Sequence, residues 1–236
     1  MTGLLGFILE RTFLRPMVGE PVFSVAVLTI GIDILLRVVL DNWIGINPKY
    51  MGDPFPSYGN FGSLNIGGLT VKYLEVTALI TSLVLISILS VFFKRSKYGV
   101  AMRATSLDQE AALAQGINVG RVFGLVWFIA GLLAAFAGFF ITGGFNTLTN
   151  TSFISALRAL PAVVIGGLDS ITGAIIGSLI IGLTQAYVGY YQFDIESAYN
   201  IKLGNGFSIV APYLIMFVIL LVKPHGLFGT EEVERV

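Results

Sequence analysis

Cysteine is absent from the 236 residues, so disulfide bridges, thiol catalysis and thiolate metal sites are excluded together. Histidine occurs once, at His225 beside the end of an apolar segment, where an interfacial role is expected rather than a catalytic or metal-binding one. Charge is scarce: 12% of residues, against roughly 25% in soluble domains. The formal net charge is zero, which argues against a nucleic-acid partner. No lysine follows a glycine, so there is no Walker A loop and no ATP site of that kind. No nucleophile, base or ligand cluster stands at convincing spacing, so an intramembrane enzyme has no support and neither cofactor nor metal is expected. Met1–Leu9 also lacks the charged start, apolar core and small-residue cleavage site of a signal peptide.

What fills the chain instead is apolar. Hydrophobic residues make up 55% of it, and the mean hydropathy is +0.84. Val122 to Leu157 and Leu203 to Val222 contain no charged side chain. Stretches of that length belong in a bilayer. The pattern predicts an all-α, polytopic membrane helix bundle of about six spans, forming one transmembrane domain over residues 1–236. The expected spans are Val22–Leu40, Leu74–Phe93, Val122–Thr142, a broken pair at Ile154–Ile165 and Ile171–Tyr191, and Phe207–Val222. Before them, Gly3–Leu14 is an apolar stub interrupted by Glu10 and Arg11, too short to cross a membrane alone.

Three features within the spans invite a reading. Asp33 and Arg37 stand four residues apart on one helix face and can neutralise each other, either to fix helix packing or as part of a translocation path. Ala130, Ala134 and Gly138 place small side chains at helical spacing, allowing close helix approach. The stretch from Ile154 to Tyr191 does not behave as one helix: Pro161 weakens it, and Gly166, Gly167, Asp169, Ser170 and Gly173 make a turn that splits it. Its first half is a short or re-entrant helix, and interrupted helices of this kind mark transport routes. Arg158 lies beside the break. Gly173-x-x-x-Gly177 with Ser178 and Gly182 forms a small-residue face, for helix packing or for lining a pore.

Two loops stand out. Residues 41–73 are rich in Gly, Pro and Asn and read as turns with a short hairpin, serving as a solvated connection or as a surface that receives a delivery protein. Residues 94–121 form the long polar interruption between two apolar spans. Here Ser106, Leu107, Asp108 and Gln109 have the form of a capping box that starts a short helix. Ala111, Ala112, Leu113 and Ala114 continue it, Asp108 and Glu110 put negative charge in its first turn, Gly116 ends it, and Asn118 caps the next helix. Two or three turns of helix are marginal alone and need a surface to pack on. A docking element for another protein is therefore expected.

If this loop faces the cytoplasm, Arg11, Arg15, Lys94, Arg95, Lys97, Arg103, Arg121, Lys223 and Arg235 are inside, and only Lys49, Lys72 and Lys202 are outside. The positive-inside rule supports that orientation. Energy must then come from a gradient or from a partner. A gradient carrier shows acidic or histidine residues in its spans, and Asp33 is the one candidate. A partner ATPase needs a rigid element to push, which the capped helix supplies.

The run Glu110-Ala111-Ala112, three residues, then Gly116 is similar to the EAA-x-x-x-G signature of ABC importer permeases. Its flanks from Tyr98 through AMRATSLDQEAALAQGINVGRVFGL resemble the branched-chain amino acid (LIV-type) permeases. VVIGGLDSITGAIIGSLIIG from Val163, KPHGLFG from Lys223, and Arg15-Pro16 with Thr29 and Gly31 do so too. The likeness covers nearly the whole chain. It lacks the Ile-x-Leu-Pro of the longer signature, and it departs from the LIV branch at Gln185, where glutamate is common, and at Pro161, where proline is uncommon; relative to the family the chain is expected to lack the N-terminal membrane segments.

The resemblance implies a non-enzymatic permease subunit in the cytoplasmic (inner) membrane of a bacterium or archaeon, translocating branched-chain or related amino acids by ATP-driven alternating access. It implies ABC ATPase subunits, a second homologous permease and an external solute-binding protein as partners, besides membrane lipid. Ser106 to Gly116 would be the coupling helix, with Glu110, Ala111, Ala112 and Gly116 at its core and Arg103 and Arg121 as nearby anchors. Urea or short amides are the alternative cargo, and a non-transporting membrane scaffold or assembly subunit is the alternative class.

Overall fold

The computed structural model describes the chain except for residues 18–19, 46, 51–62, 67–68, 144–146, 149–153, 158, 201–203, 205 and 230–236. It divides into two compact units, Met1–Asn150 and Thr151–Val236.

In the first unit, α1 (Thr2–Leu9) runs into a π-helical turn (Glu10–Leu14) and a 3₁₀ turn (Arg15–Met17). Next come α2 (Val22–Ile44), the short strand β1 (Lys49–Tyr50), the hairpin β2 (Ser63–Ile66) and β3 (Leu69–Lys72), and α3 (Tyr73–Arg95). The polar connection folds as α4 (Lys97–Leu107) and α5 (Gln109–Ala114), and α6 (Val119–Thr142) leads to β4 (Thr147–Leu148). β2 and β3 pair antiparallel with Ile66 opposite Leu69, the hairpin expected in the 41–73 loop; the centre of that loop lies outside the described residues. β4 pairs antiparallel with β1, tying the loop to the end of α6.

The second unit holds α7 (Ile154–Leu157), α8 (Leu160–Gly166), α9 (Ile171–Tyr199) and α10 (Phe207–Val222). Its core is Ala162, Ile165 and Ile181, with Ile180, Ile215, Met216, Ile219 and Leu227 packed around them.

Among the described residues, four helices are long and apolar enough to cross a membrane: Phe23–Ile44, Tyr73–Arg95, Val119–Thr142 and Ile171–Tyr199. α10 is apolar but has 16 residues, about 24 Å of helix against a hydrocarbon core of about 30 Å. The fourth expected span, Ile154–Ile165, has the short form expected of it. It divides into α7 and α8, and the seven residues of α8 reach only about 10 Å. The long helices turn bulky apolar side chains outward, as at Ile30, Leu79 and Leu183. Such a surface is stable in lipid, whose tails are as apolar as leucine. The protein is an all-α, multi-pass membrane bundle.

Helix contacts inside the first unit differ from the small-residue pattern expected on α6. Ala130 and Ala134 are exposed, and an added Cβ on Gly138 would meet nothing within 4 Å. The close approach uses the other side of α6, where Gly131 meets the backbone of Thr2 and Gly3, and Gly6 of α1 meets the Trp127 carbonyl. The N-terminal stub is thus a helix seated on α6 through glycines at both sides of the contact.

Candidate functional site

The polar connection is built so that α5 has little freedom. α3 ends at Ser96, whose hydroxyl accepts from Gly99 N at 2.9 Å and starts α4. A side chain at Gly99 would strike the backbone of Phe92 and Phe93, so α4 folds back tightly on the end of α3. Arg103 Nη1 reinforces this by donating to the Phe93 carbonyl.

The capping box expected at Ser106 does not form. Ser106 lies in the last turn of α4, where its hydroxyl donates to the Arg103 carbonyl at 2.9 Å. The cap is Asp108, with extended φ/ψ of −159°/113°, and its Oδ1 accepts from both Glu110 N and Ala111 N at 2.9 Å. A carboxylate is the stronger acceptor for unpaired helix N–H groups, and the serine hydroxyl is satisfied inside α4. Gln109 is then the first helical residue, too early to reach back as the box requires.

The far end of α5 matches the expectation. Gly116 adopts φ +81°, Ile117 N donates to Ala112 O at 3.0 Å and Gly116 N to Leu113 O at 2.9 Å. These two bonds make a Schellman motif. Asn118 Oδ1 then accepts from Arg121 N at 3.0 Å and opens α6. A six-residue helix is therefore fixed at both ends and joined to α6 with hardly any slack.

Its residues sort onto two sides. Ala112 is the buried one, 3% exposed, where α5 rests on α4 and α6. Glu110, Ala111 and Leu113 are exposed, and so is Leu107 just before the helix at 88%. Of the alanines in Glu110-Ala111-Ala112, the second secures the helix to its own chain and the first belongs to the free surface.

The second predicted constellation is a helical hairpin. Pro161 is buried at the start of α8, where a missing N–H costs nothing, so it begins a helix rather than weakening one. Gly167 at φ +98° turns the chain, and Ser170 Oγ accepts from Gly173 N at 3.0 Å to cap α9. α9 then packs on α8 with Gly173 against Gly166 and Gly177 against the Ala162 carbonyl. Gly182 meets nothing within 4 Å. The Lys223–Gly229 tail closes the end of the hairpin: Leu227 N donates to Ile165 O at 2.8 Å and Phe228 N to Gly166 O at 3.1 Å. Those carbonyls would otherwise be unpaired at the helix end. This role for the tail gave no signal in its composition.

A family model described as branched-chain amino acid transport system / permease component matches residues 1–222. The chain belongs to this family. The permease is 26% identical to the Pseudomonas aeruginosa high-affinity branched-chain amino acid transport system permease protein BraD, over 100% of this chain and 74% of the relative. It is 29% identical to the Escherichia coli permease protein LivH, over 98% and 72%. A partial match, 30% identical over 58% of this chain and 44% of the relative, is the galactose/methyl galactoside import permease protein MglC of Haemophilus influenzae. No solved structure matches the permease.

Asp33 and Arg37, on α2 in the first unit, form the ion pair their spacing predicts. Arg37 Nε donates to Asp33 Oδ2 at 2.8 Å and Nη2 to Oδ1 at 3.1 Å. Arg158 lies outside the described residues. Reversing either charge of the α2 pair is expected to lower uptake about tenfold, the equivalent of ~1.4 kcal/mol. Reversing both is expected to restore it, because the two charges neutralise each other on one helix face whichever residue carries the guanidinium. Uptake that stays low in the double reversal would move the pair into the translocation path.

Proposed function

We propose that the permease is the membrane subunit of an ATP-driven (ABC) importer in the cytoplasmic membrane, carrying branched-chain or related amino acids by alternating access. α5 is its coupling helix and lies on the cytoplasmic side. The observation that supports this most is the double capping of α5 around a buried Ala112, which leaves Leu107, Glu110, Ala111 and Leu113 free for a partner. A short helix secured in this way passes a push straight into α6, whereas a frayed one would absorb it. Arg103 and Arg121 flank the docking surface. ATP hydrolysis belongs to partner subunits, a second homologous permease completes the pathway, and an external solute-binding protein delivers the cargo. The α8–α9 hairpin around Pro161, Gly166, Gly167, Gly173 and Gly177, together with Arg158, is the candidate for the pathway wall.

The relatives support this cargo: those matched over nearly the whole chain are named for branched-chain amino acids, whereas the sugar permease matches little more than half of it. Binding assays on the partner solute receptor separate leucine, isoleucine and valine from urea and short amides.

The absence of native cysteine makes the docking test clean, because an introduced cysteine is the single thiol in the chain. Leu113→Cys in the assembled transporter is expected to crosslink to the ATPase subunit, and a cysteine replacing the buried Ala112 is not. Failure of Leu113→Cys to form the adduct would remove the coupling role of α5.

A further inference from the structure

Where α1 ends, the helix widens into the π-helical turn Glu10–Leu14, and Glu10 faces inward there with 1% of its surface exposed. Neither of its carboxylate oxygens has a hydrogen-bond partner among the described residues. Its nearest cation is Arg15, with Nε 3.8 Å from Oε1, close enough for attraction but too far for a hydrogen bond. Both side chains lie over glycines of α6 one turn apart. A Cβ on Gly120 would collide with the Arg15 guanidinium, and one on Gly124 would lie 2.7 Å from the Phe7 ring and 3.3 Å from Glu10 Oε2. Gly120 and Gly124 fall within the first two turns of α6, directly after the Asn118 cap that joins it to α5.

A carboxylate buried with no donor is a poor choice if the contact serves packing alone, since an apolar side chain of similar volume would hold it at least as well. What the charge adds is an attraction that draws the buried Glu10 carboxylate and the partly exposed Arg15 guanidinium together over α6. π-Helical turns also concentrate at functional positions.

We propose that Glu10 and Arg15 are positioning residues for coupling: they clasp the N-terminal helix across Gly120 and Gly124, so that movement of α5 and the start of α6 is carried into α1. This rests on the coupling role of α5. With the clasp open, α6 moves under α1 without taking it along, and ATP is spent with little transport.

The test uses the complete transporter, both permeases with ATPase subunits and solute-binding protein, reconstituted in vesicles, with amino acid uptake and ATP hydrolysis measured together. Glu10→Gln keeps the shape and removes the charge. Gly124→Ala displaces Phe7 and Glu10 without touching either charge. Both variants are expected to assemble and hydrolyse ATP while uptake per ATP falls at least about tenfold. Exchanging the charges, Glu10→Arg with Arg15→Glu, is expected to recover part of it. Wild-type uptake per ATP in either assembled variant overturns the proposal, and so does failure of both to assemble, which would assign the pair to folding. Loss of the Leu113→Cys adduct in the otherwise unaltered transporter would instead mark failure of the docking reading itself.

Discussion

Gly177→Leu is expected to remove most of the folded permease from the membrane, whereas Gly182→Leu five residues further along α9 should be tolerated. Both glycines belong to the same small-residue run, and they differ in what lies opposite. At Gly177 a side chain would enter the space of the Ala162 carbonyl and approach Gly166, both backbone atoms of α8 that cannot swing aside. At Gly182 there is nothing within 4 Å. Forcing extra carbons into a packed contact costs about 1–3 kcal/mol, with backbone collisions at the upper end. Three kcal/mol is a factor of roughly 100 in the folded ratio, a large share of a domain's total stability. The effect should spread further than the pair itself. The tail hydrogen bonds from Leu227 and Phe228 land on Ile165 and Gly166, at the end of the helix that would be displaced. Yield in detergent extracts and thermal unfolding of the purified protein measure it: a large drop for Gly177→Leu beside near-normal Gly182→Leu is the expected pattern. Equal losses at both positions would mean that the hairpin is not held by this contact.

That contrast marks what residue patterns could reveal here. Chain-long apolarity makes the four long helices plain, because a bilayer demands about 20 apolar residues at a stretch and imposes few other rules. Gly116 and Asn118 were legible for a similar reason: a left-handed C-terminus and an amide N-cap depend on local chemistry alone. Asp108 is harder to read, since Ser106 offers another capping side-chain oxygen two residues earlier. The choice turned on whether α4 continued through Leu107. Which face of a small-residue run is used is invisible in spacing. Ala130, Ala134 and Gly138 have the right period, yet α1 packs on the side of α6 bearing Gly124 and Gly131. The burial of Glu10 was hidden likewise, because a charge in a short apolar stub looks like an interruption until the helix beneath it is known. The spacing of Glu10 and Arg15, with two glycines of α6 opposite, carried a signal only once α1 was seated.

Placing an aspartate at Leu113 and, separately, at Ala112 should abolish transport by two different routes. Leu113 is 57% exposed and packs on little of its own chain, so Leu113→Asp is expected to leave assembly of the permease and its unfolding temperature nearly unchanged. What it removes is an apolar contact with the ATPase and what it adds is a charge to be desolvated there. An anchor residue of an interface is worth about 2–4 kcal/mol, so affinity for the ATPase should fall roughly 30- to 1,000-fold and uptake with it. Ala112 is 3% exposed, and an aspartate there must bury a carboxylate between α5 and the helices beneath it. Ala112→Asp should therefore disorder α5 itself, exposing the connection to proteolysis between Ser96 and Asn118 even without any ATPase. Limited proteolysis of the isolated permease, run beside ATPase co-purification, separates the two: Leu113→Asp resists cleavage and loses its partner, and Ala112→Asp is cut. The two substitutions sit side by side, and the rotation of one residue around a two-turn helix decides which surface each attacks. Cleavage of both, or of neither, would mean that the surface offered to the motor subunit is not the one bearing Leu113.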